Sequence, residues 1–248
     1  MIRARFAQAQ LALMLLTRLP AGRLPEPAPS IAAATWAFPL AGLAVGGVAG
    51  LVLLAALTLG LPPALAAGLA LAAQIIVTGA LHEDGLADLA DGFWGGRDAA
   101  RRLEIMRDSR IGSYGTLALV VSVGLRWQAL AVLAGQGPML AVAAVLTVAM
   151  TSRAVPAVLL AMMPPARADG MGHLASGGAG GAVIAAILLA GVPALAVPGM
   201  VPAMAVQALL AFALARLSLA RIGGQTGDVL GAAQQLAEVA ALLVLAAA

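Results

Sequence analysis

The sequence predicts an all-α fold: a polytopic membrane bundle of about seven transmembrane helices, with further helices at the membrane interface. Hydrophobic residues make up 62% of the 248 residues and charged residues only 10%, and the mean hydropathy is +1.00. A soluble domain carries about 25% charged residues. So much apolar surface requires a bilayer. Because no domain boundary interrupts the pattern, we expect residues 1–248 to form a single membrane-embedded domain.

Seven apolar stretches approach the length of about 20 residues that a spanning helix needs. They cover 36–59, 62–81, 114–134, 139–163, 181–197, 201–217 and 229–247. Three joins between them are short and uncharged, whereas the other connections carry most of the arginines. Seven spans place these charged connections on one side, which the positive-inside rule assigns to the cytoplasm. Arg18 and Pro20 interrupt a signal-like N-terminal stretch, so we expect it to be retained as an interfacial segment.

The charge and cysteine content exclude several classes of protein. The chain has no cysteine, which excludes disulfides, thiolate metal sites and cysteine nucleophiles. All 14 basic residues are arginine, and the net charge is +3. These arginines are scattered at the ends of predicted helices, and aromatic residues for base stacking are few. We therefore expect no nucleic-acid partner.

An acidic segment at 82–92 follows an uncharged run from 31 to 81. Four of the chain's 11 acidic residues lie in it, namely Glu83, Asp84, Asp88 and Asp91. The i, i+4, i+7 spacing of the three aspartates puts them on one helical face. That face repels itself unless a cation binds, and carboxylate oxygens are ligands that Mg²⁺ accepts. The segment predicts a magnesium site at the membrane surface. A solvated acidic helix end is the alternative.

Three neighbours of these aspartates have other roles open to them. Glu83 points about 100° away from Asp84 on an ideal helix, so it ranks below the aspartates as a ligand. His82 could be a base or a phosphate donor, and equally an ordinary polar residue at the interface. Gly85 would let a ligand approach the backbone closely.

The segment 101–112 mixes arginines with apolar residues, as an amphipathic surface helix does. Its candidate substrate-binding residues are Arg107, Asp108, Ser109 and Arg110. The alternative is a positive-inside anchor with ordinary local ion pairs. Beside a carboxylate cluster we favour anion binding, because sites that bind a diphosphate usually combine a metal ion with arginine side chains.

A glycine-rich turn at 221–232 precedes the last span. Backbone N–H groups in such a turn can hold an anion, which makes Gly223, Gly224 and Thr226 candidate substrate contacts. Asp228 is either a helix N-cap or a further metal ligand. The turn is not a P-loop, because the Gly-Lys-Ser/Thr ending is missing.

Three ionisable residues, Arg126, Arg153 and Glu238, lie within predicted spans. Buried charges in membranes pair with each other or line a cavity, so we expect an ion pair between Glu238 and an arginine. A helix-packing pair and a role in substrate binding, for Arg153 and Glu238, both remain open. His173 is either an ordinary loop residue or a contact in the site.

Several separated motifs resemble the adenosylcobinamide-GDP ribazoletransferase family, also called the cobalamin synthases. They are Leu-Thr-Arg-Leu-Pro at 16–20, the acidic segment 82–92, the segment 102–112, Ser-Arg at 152–153, and the turn 223–232 with Glu238 beyond it. Their order and spacing along nearly the whole chain make the resemblance specific. Glu83 is a departure, since the family more often has an apolar residue there.

The resemblance implies an inner-membrane, Mg²⁺-dependent enzyme for the closing step of cobalamin nucleotide-loop assembly. The positive-inside rule places the acidic segment, and with it the expected active site, on the cytoplasmic side. Adenosylcobinamide-GDP and α-ribazole, or its 5′-phosphate, would give adenosylcobalamin, or its 5′-phosphate, and GMP. The expected partners are these substrates and the lipid bilayer, with room for a homo-oligomer.

In that chemistry, Mg²⁺ would lie across the diphosphate on Asp84, Asp88 and Asp91. Arginines 107, 110 and 153 would neutralise the phosphates, and the turn at 223–228 would complete the anion site. His82 or one of the aspartates would take the proton of the attacking hydroxyl.

Two rival interpretations fit less well. A CDP-alcohol phosphotransferase also uses carboxylates at a membrane edge, but its pattern places Arg after Asp-Gly-x-x-Ala, and it fails here because Asp88 follows Ala87. A transporter would use carboxylates for ion coupling, usually near the midplane and often in repeated halves. Here the charge lies at a helix end and no repeat is present.

Overall fold

The computed structural model describes residues 2–168 and 180–248, and helices account for almost all of its regular structure. In chain order they are α1 (Ile2–Leu16), α2 (Ile31–Ala34), a 3-10 turn (Thr35–Ala37), α3 (Phe38–Thr58), α4 (Pro63–Thr78), α5 (Leu81–Gly95), α6 (Ala99–Ile105), α7 (Ser113–Gln136), α8 (Pro138–Met162), α9 (Gly180–Ala194), α10 (Met200–Ile222) and α11 (Gly227–Ala246). The predicted all-α class is confirmed. His173 lies outside the described ranges.

Five helical segments of the described chain are long and apolar enough to cross a membrane. They are Ile31–Thr58, Ser113–Gln136, Pro138–Met162, Met200–Ile222 and Gly227–Ala246. A sixth span results if α4 and α5 count as one broken helix. The predicted span at 181–197 corresponds to α9, an apolar helix of only 15 residues. The chain is therefore a multi-pass membrane bundle, with five or six spans by length and composition where the sequence predicted about seven.

The acidic helix does not continue the span that precedes it. Gly79 ends α4 with a φ of +64°, and Ala80 follows with a φ of +58°, so two successive residues are in the left-handed region. Glycine adopts this conformation without the steric cost that alanine pays. The turn sends α5 off at 85° to α4. The predicted cluster of carboxylates thus lies on a helix of its own.

The charged connections meet at one end of the bundle. Arg221 Nη1 donates to the Phe93 carbonyl at 2.7 Å, and Arg102 Nη1 donates to the Arg221 carbonyl at 3.0 Å. Gln225 N donates to the Pro164 carbonyl at 2.8 Å. These bonds join the end of α5, helix α6, the end of α10 with the turn after it, and the chain after α8. The grouping of charged connections predicted from the sequence therefore exists in three dimensions.

Small residues allow α3 and α8 to cross with their backbones almost touching. A Cβ at Gly42 would overlap the Ala149 carbonyl, and one at Gly46 would lie 3.0 Å from Leu146 Cα. Such close crossings stabilise membrane helices through van der Waals contact. The glycines at this crossing therefore serve helix packing.

Candidate active site

The three predicted aspartates share one face of α5 but differ in exposure. Asp84 is exposed, Asp88 is half-buried and Asp91 is buried, with 8% of its surface accessible. The helix is continuous over this stretch, so the predicted i, i+4, i+7 relation holds. The face runs from solvent at Asp84 toward the start of α7 at Asp91.

Both carboxylate oxygens of Asp91 accept hydrogen bonds from the start of α7. Oδ2 accepts from Gly112 N at 2.7 Å, and Oδ1 accepts from Gly115 N at 2.9 Å. A Cβ at either glycine would overlap this carboxylate, so the glycines make the approach possible. A negative charge at a helix N-terminus is also favoured by the helix dipole. Asp91 thus fastens α7 to α5, a role that the sequence analysis missed.

We expect Asp91→Ala to lower the free energy of unfolding by about 2 kcal/mol, because one buried and one half-buried N–H group lose their acceptor. Thermal unfolding of the purified protein in detergent measures this loss. Asp98→Ala is a matched control, because Asp98 caps the exposed start of α6 by accepting from Arg101 N at 2.9 Å. A stable Asp91→Ala variant with a raised Mg²⁺ requirement would show that Asp91 acts instead as a metal ligand.

Asp228 of α11 lies close enough to Asp84 and Asp88 of α5 for their charges to interact. The backbones of these helices meet at Gly85, where a Cβ would lie 3.0 Å from the Asp228 carbonyl oxygen and 3.2 Å from Gly231 Cα. The negative charges of Asp84, Asp228 and Asp91 all act on the Asp88 carboxylate. Gly85 therefore allows the close contact between α5 and α11, in addition to the predicted approach of a ligand.

Of the two roles predicted for Asp228, the N-cap is wrong, because Thr226 Oγ1 accepts from Val229 N at 3.3 Å and caps α11.

A cleft of about 420 Å³ brings the acidic helix opposite the arginine-rich segment. Asp84 and Asp88 line it from α5, and Arg107, Asp108 and Ser109 line it from the turn after α6. The sequence predicted both motifs separately, and the structure brings them together. The wall with Asp84 and Asp88 can therefore bind a cation, and the wall with Arg107 can bind an anion.

The arginine-rich segment is helical only as far as Ile105, so the predicted amphipathic helix is shorter than its pattern suggests. Asp108 Oδ1 accepts from Arg110 N at 3.0 Å, and Asp108 Oδ2 accepts from Arg110 Nη2 at 2.9 Å. These bonds hold the pKa of Asp108 below its usual range. Arg110 is thus folded onto Asp108, and its side chain is 87% exposed.

Arg167 is a second arginine beside the cleft, and it was not among the candidate site residues. Its Nη2 donates to the Leu103 carbonyl at 2.8 Å and lies 3.9 Å from Asp228 Oδ2. Arg107 and Arg167 also line a neighbouring surface pocket of about 410 Å³. No local pattern marks Arg167, because its position depends on the pairing of 164–166 with Gln225.

The glycine-rich turn packs against and hydrogen-bonds to the segment 164–166 after α8. Gly223 ends α10 with a φ of +80°, and a Cβ at Gly224 would overlap the Pro164 carbonyl. Ala166 N donates to the Gln225 carbonyl at 2.8 Å, while Thr226 Oγ1 donates to Asp228 Oδ2 at 3.1 Å. These contacts give the turn a structural role. Substrate binding by Gly223, Gly224 and Thr226 stays a prediction.

A buried ion network lies beneath the cleft. Arg126 Nη2 contacts Glu83 Oε1 at 2.9 Å, Arg126 Nη1 contacts Glu238 Oε1 at 3.3 Å, and Arg153 Nη1 lies 4.0 Å from Glu238 Oε2. Arg126, Arg153 and Glu238 are each 2% exposed. The predicted pairing of Glu238 with an arginine is confirmed. This burial favours the helix-packing role for Arg153 and Glu238, and direct substrate contact by them stays a prediction.

Two glutamines of α11 complete the network. Gln234 Nε2 donates to Glu238 Oε2 at 2.6 Å, and Gln235 Nε2 donates to Glu83 Oε1 at 3.3 Å. Neither was among the candidate residues, although two consecutive glutamines within an apolar span are costly unless they have partners. The network also explains Glu83, which faces the interior and pairs with Arg126.

Fold and site together define the class as a multi-pass membrane enzyme in which an acidic wall faces Arg107 at one end of the helices. Residues 8–246 match the sequence profile of the family described as cobalamin-5-phosphate synthase. The chain belongs to this family, and it is accordingly a transferase of cobalamin biosynthesis. The resemblance found in the sequence motifs is confirmed.

Curated relatives are similar over most of their length. The adenosylcobinamide-GDP ribazoletransferase of Bradyrhizobium diazoefficiens is 46% identical, with 99% of this chain and 95% of that protein covered. The enzyme of the same name from Mesorhizobium japonicum is 44% identical, with 96% and 92% covered. No solved structure matches the chain significantly.

Proposed function

We propose that the cleft joins adenosylcobinamide-GDP to α-ribazole, or to its 5′-phosphate, and releases GMP. The observation that carries the proposal is the cleft itself, which sets Asp84 and Asp88 opposite Arg107 and Ser109. The names of the relatives supply the two substrates. A diphosphate needs its charge neutralised and its leaving group stabilised, and the two walls offer groups for both tasks.

Mg²⁺ fits the donors of this site. No group of three or more His, Cys, Asp or Glu side chains within 2–168 and 180–248 is arranged to enclose an ion. Mg²⁺, however, is usually held by one or two carboxylates together with substrate phosphates and water. Asp84 and Asp88, with Asp228 beside them, provide this kind of all-oxygen site. We assign Asp91 a positioning role, because its oxygens already bind α7.

The reaction is a displacement at phosphorus. A ribose hydroxyl of α-ribazole attacks the phosphorus attached to cobinamide, the P–O bond to GMP breaks, and the hydroxyl proton passes to His82 or to an aspartate of the cleft. Arg107 neutralises the departing phosphate, and Ser109 can donate a hydrogen bond to it. Bound Mg²⁺ would polarise the phosphoryl oxygens and stabilise the leaving group. The products balance as the cobalamin phosphodiester and GMP.

We place the cleft on the cytoplasmic face of a bacterial inner membrane. The charged connections that surround it carry most of the arginines, and the positive-inside rule assigns such connections to the cytoplasm. Nucleotide substrates are available there. Residues 1–248 would form one catalytic unit within the bilayer, and this unit is compatible with a homo-oligomer.

Turnover by the purified protein in liposomes tests the proposal. We expect GMP release from adenosylcobinamide-GDP only when both α-ribazole and Mg²⁺ are present, and chelation of the metal should stop it. Omission of each component in turn is the control. Ion or solute flux without GMP release would contradict the proposal and favour a transporter.

A further inference from the structure

A second cavity of about 230 Å³ lies on the other side of Asp84. Its walls are mainly apolar and come from α1, α2, α3, α5, α8 and α11. The apolar lining includes Leu15, Leu16, Ile31, Phe38 and Leu160. His82, Asp84 and Asp228 form its polar end. The proposed reaction uses only this polar end and gives the apolar part of the cavity no role.

We infer that this cavity binds the aromatic base of α-ribazole, and the inference rests on the function proposed above. Asp84 lines both the cavity and the diphosphate cleft. A nucleoside whose base occupies the cavity would therefore place its ribose at the carboxylates. The attacking hydroxyl would then meet the phosphorus where the two spaces adjoin.

The size and lining of the cavity indicate which chemical group of the two substrates it can bind. Pockets for drug-sized ligands measure about 300–1,000 Å³, so 230 Å³ suits a single bicyclic ring and excludes a corrin macrocycle. Guanine carries donors and acceptors on several edges, and apolar walls would leave them unpaired at a cost. A dimethylbenzimidazole exposes carbon and methyl groups with one free ring nitrogen. Among these groups, the benzimidazole fits best.

His82 offers an independent sign that a ligand belongs here. The residue is 3% exposed, and its Nε2 has no hydrogen-bond partner among the described residues. A buried polar atom without a partner is costly and calls for an explanation. The ring nitrogen of the base or a ribose oxygen would supply that partner. This contact would also hold the ribose beside Asp84.

The inference gives a role to the N-terminal motif that the proposed chemistry did not use. Leu16 begins the sequence Leu-Thr-Arg-Leu-Pro and lines the cavity. Arg18 N donates to the Val77 carbonyl at 2.7 Å, which anchors the end of α1 to α4. The motif thereby fixes one wall of the cavity.

Filling the cavity from its half-buried wall tests the inference. In Leu15→Trp and Ile31→Trp we expect the KM for α-ribazole to rise about tenfold, since even one misplaced methylene in a pocket changes specificity by about 10–200-fold. The KM for adenosylcobinamide-GDP should stay within about twofold of the wild type. Met14→Trp is the matched control, because Met14 lies on the same helix, is 41% exposed and does not line the cavity.

A second substrate guards against effects of altered folding. Benzimidazole riboside lacks the two methyl groups of α-ribazole and needs less space. We expect the filled variants to favour it over α-ribazole relative to the wild type, and Leu160→Ala, which enlarges the cavity, to shift the preference toward the larger base. A misfolded protein would lose activity with both nucleosides and would not change their ratio.

The outcomes separate the inference from the proposed function. If Mg²⁺-dependent GMP release persists while the KM ratio of the two nucleosides is unchanged in every cavity variant, the base pocket is overturned and the function stands. Equal changes in the KM of both substrates would also overturn it, because the cavity would then be structural. If the wild-type protein releases no GMP, the proposed function fails first.

Discussion

Replacement of Asp88 by asparagine should lower kcat by about 10²–10³ at saturating substrate, and Asp84→Asn should act similarly. Each substitution removes a negative charge from the acidic wall of the cleft while preserving the size of the side chain. Losing one preorganised charge contact to a transition state typically costs a factor of this size. GMP release by the purified variants measures the effect.

A Mg²⁺ titration shows whether the lost charge serves the metal. We expect both variants to need about 10–100-fold more Mg²⁺ for half-maximal activity, the range found when contacts that support a metal site are removed. Glu26→Gln is the matched control, because Glu26 is exposed and lies outside the cleft. Near-normal activity of both aspartate variants, with an unchanged Mg²⁺ requirement, would refute the role of this wall.

Replacement of Arg126 by methionine should cost about 3–5 kcal/mol of unfolding free energy, the usual penalty for leaving buried charges uncompensated. Arg126 contacts both Glu83 and Glu238, and all three side chains are at least nine-tenths buried. Methionine keeps much of the volume but none of the charge. Chemical or thermal unfolding in detergent measures the loss, and no excess Mg²⁺ should restore it.

A double substitution distinguishes lost charge balance from lost packing. Adding Glu83→Gln to Arg126→Met removes one uncompensated carboxylate, so the pair should be more stable than the arginine variant alone. Arg216→Met is the control, since Arg216 lies exposed near the end of α10. If the double variant is less stable than either single one, the arginine acts through packing rather than through its charge.

The sequence was most informative where the chemistry is local. The helical spacing of Asp84, Asp88 and Asp91 follows from the backbone alone, and it was correct. The separate duties of these residues were not visible, because Asp91 meets Gly112 and Gly115 across a gap of 21 to 24 residues. Tertiary packing therefore gives the motif two roles: Asp84 and Asp88 line the cleft, and Asp91 binds the start of α7.

Residues brought in from distant segments could not be predicted. Asp228 reaches the acidic helix because Gly85 lets the backbone of α11 approach. Arg167 reaches Asp228 because the chain after α8 pairs with Gln225. Burial of charge was easier to foresee, since the cost of ions in a membrane required a partner for Glu238. The identity of that partner, Arg126, depended on how three helices pack.

The bonds from Asp91 to α7 have a consequence for how the two walls of the cleft can move. The turn that carries Arg107 runs directly into Gly112, which Asp91 holds, and Asp88 lies one turn earlier on the same helix as Asp91. The acidic wall and the wall that carries Arg107 are thus connected at one end of the cleft, through the hydrogen bonds of Asp91. Moving the walls apart would break one buried and one half-buried hydrogen bond, so the distance between the opposing charges is held nearly constant.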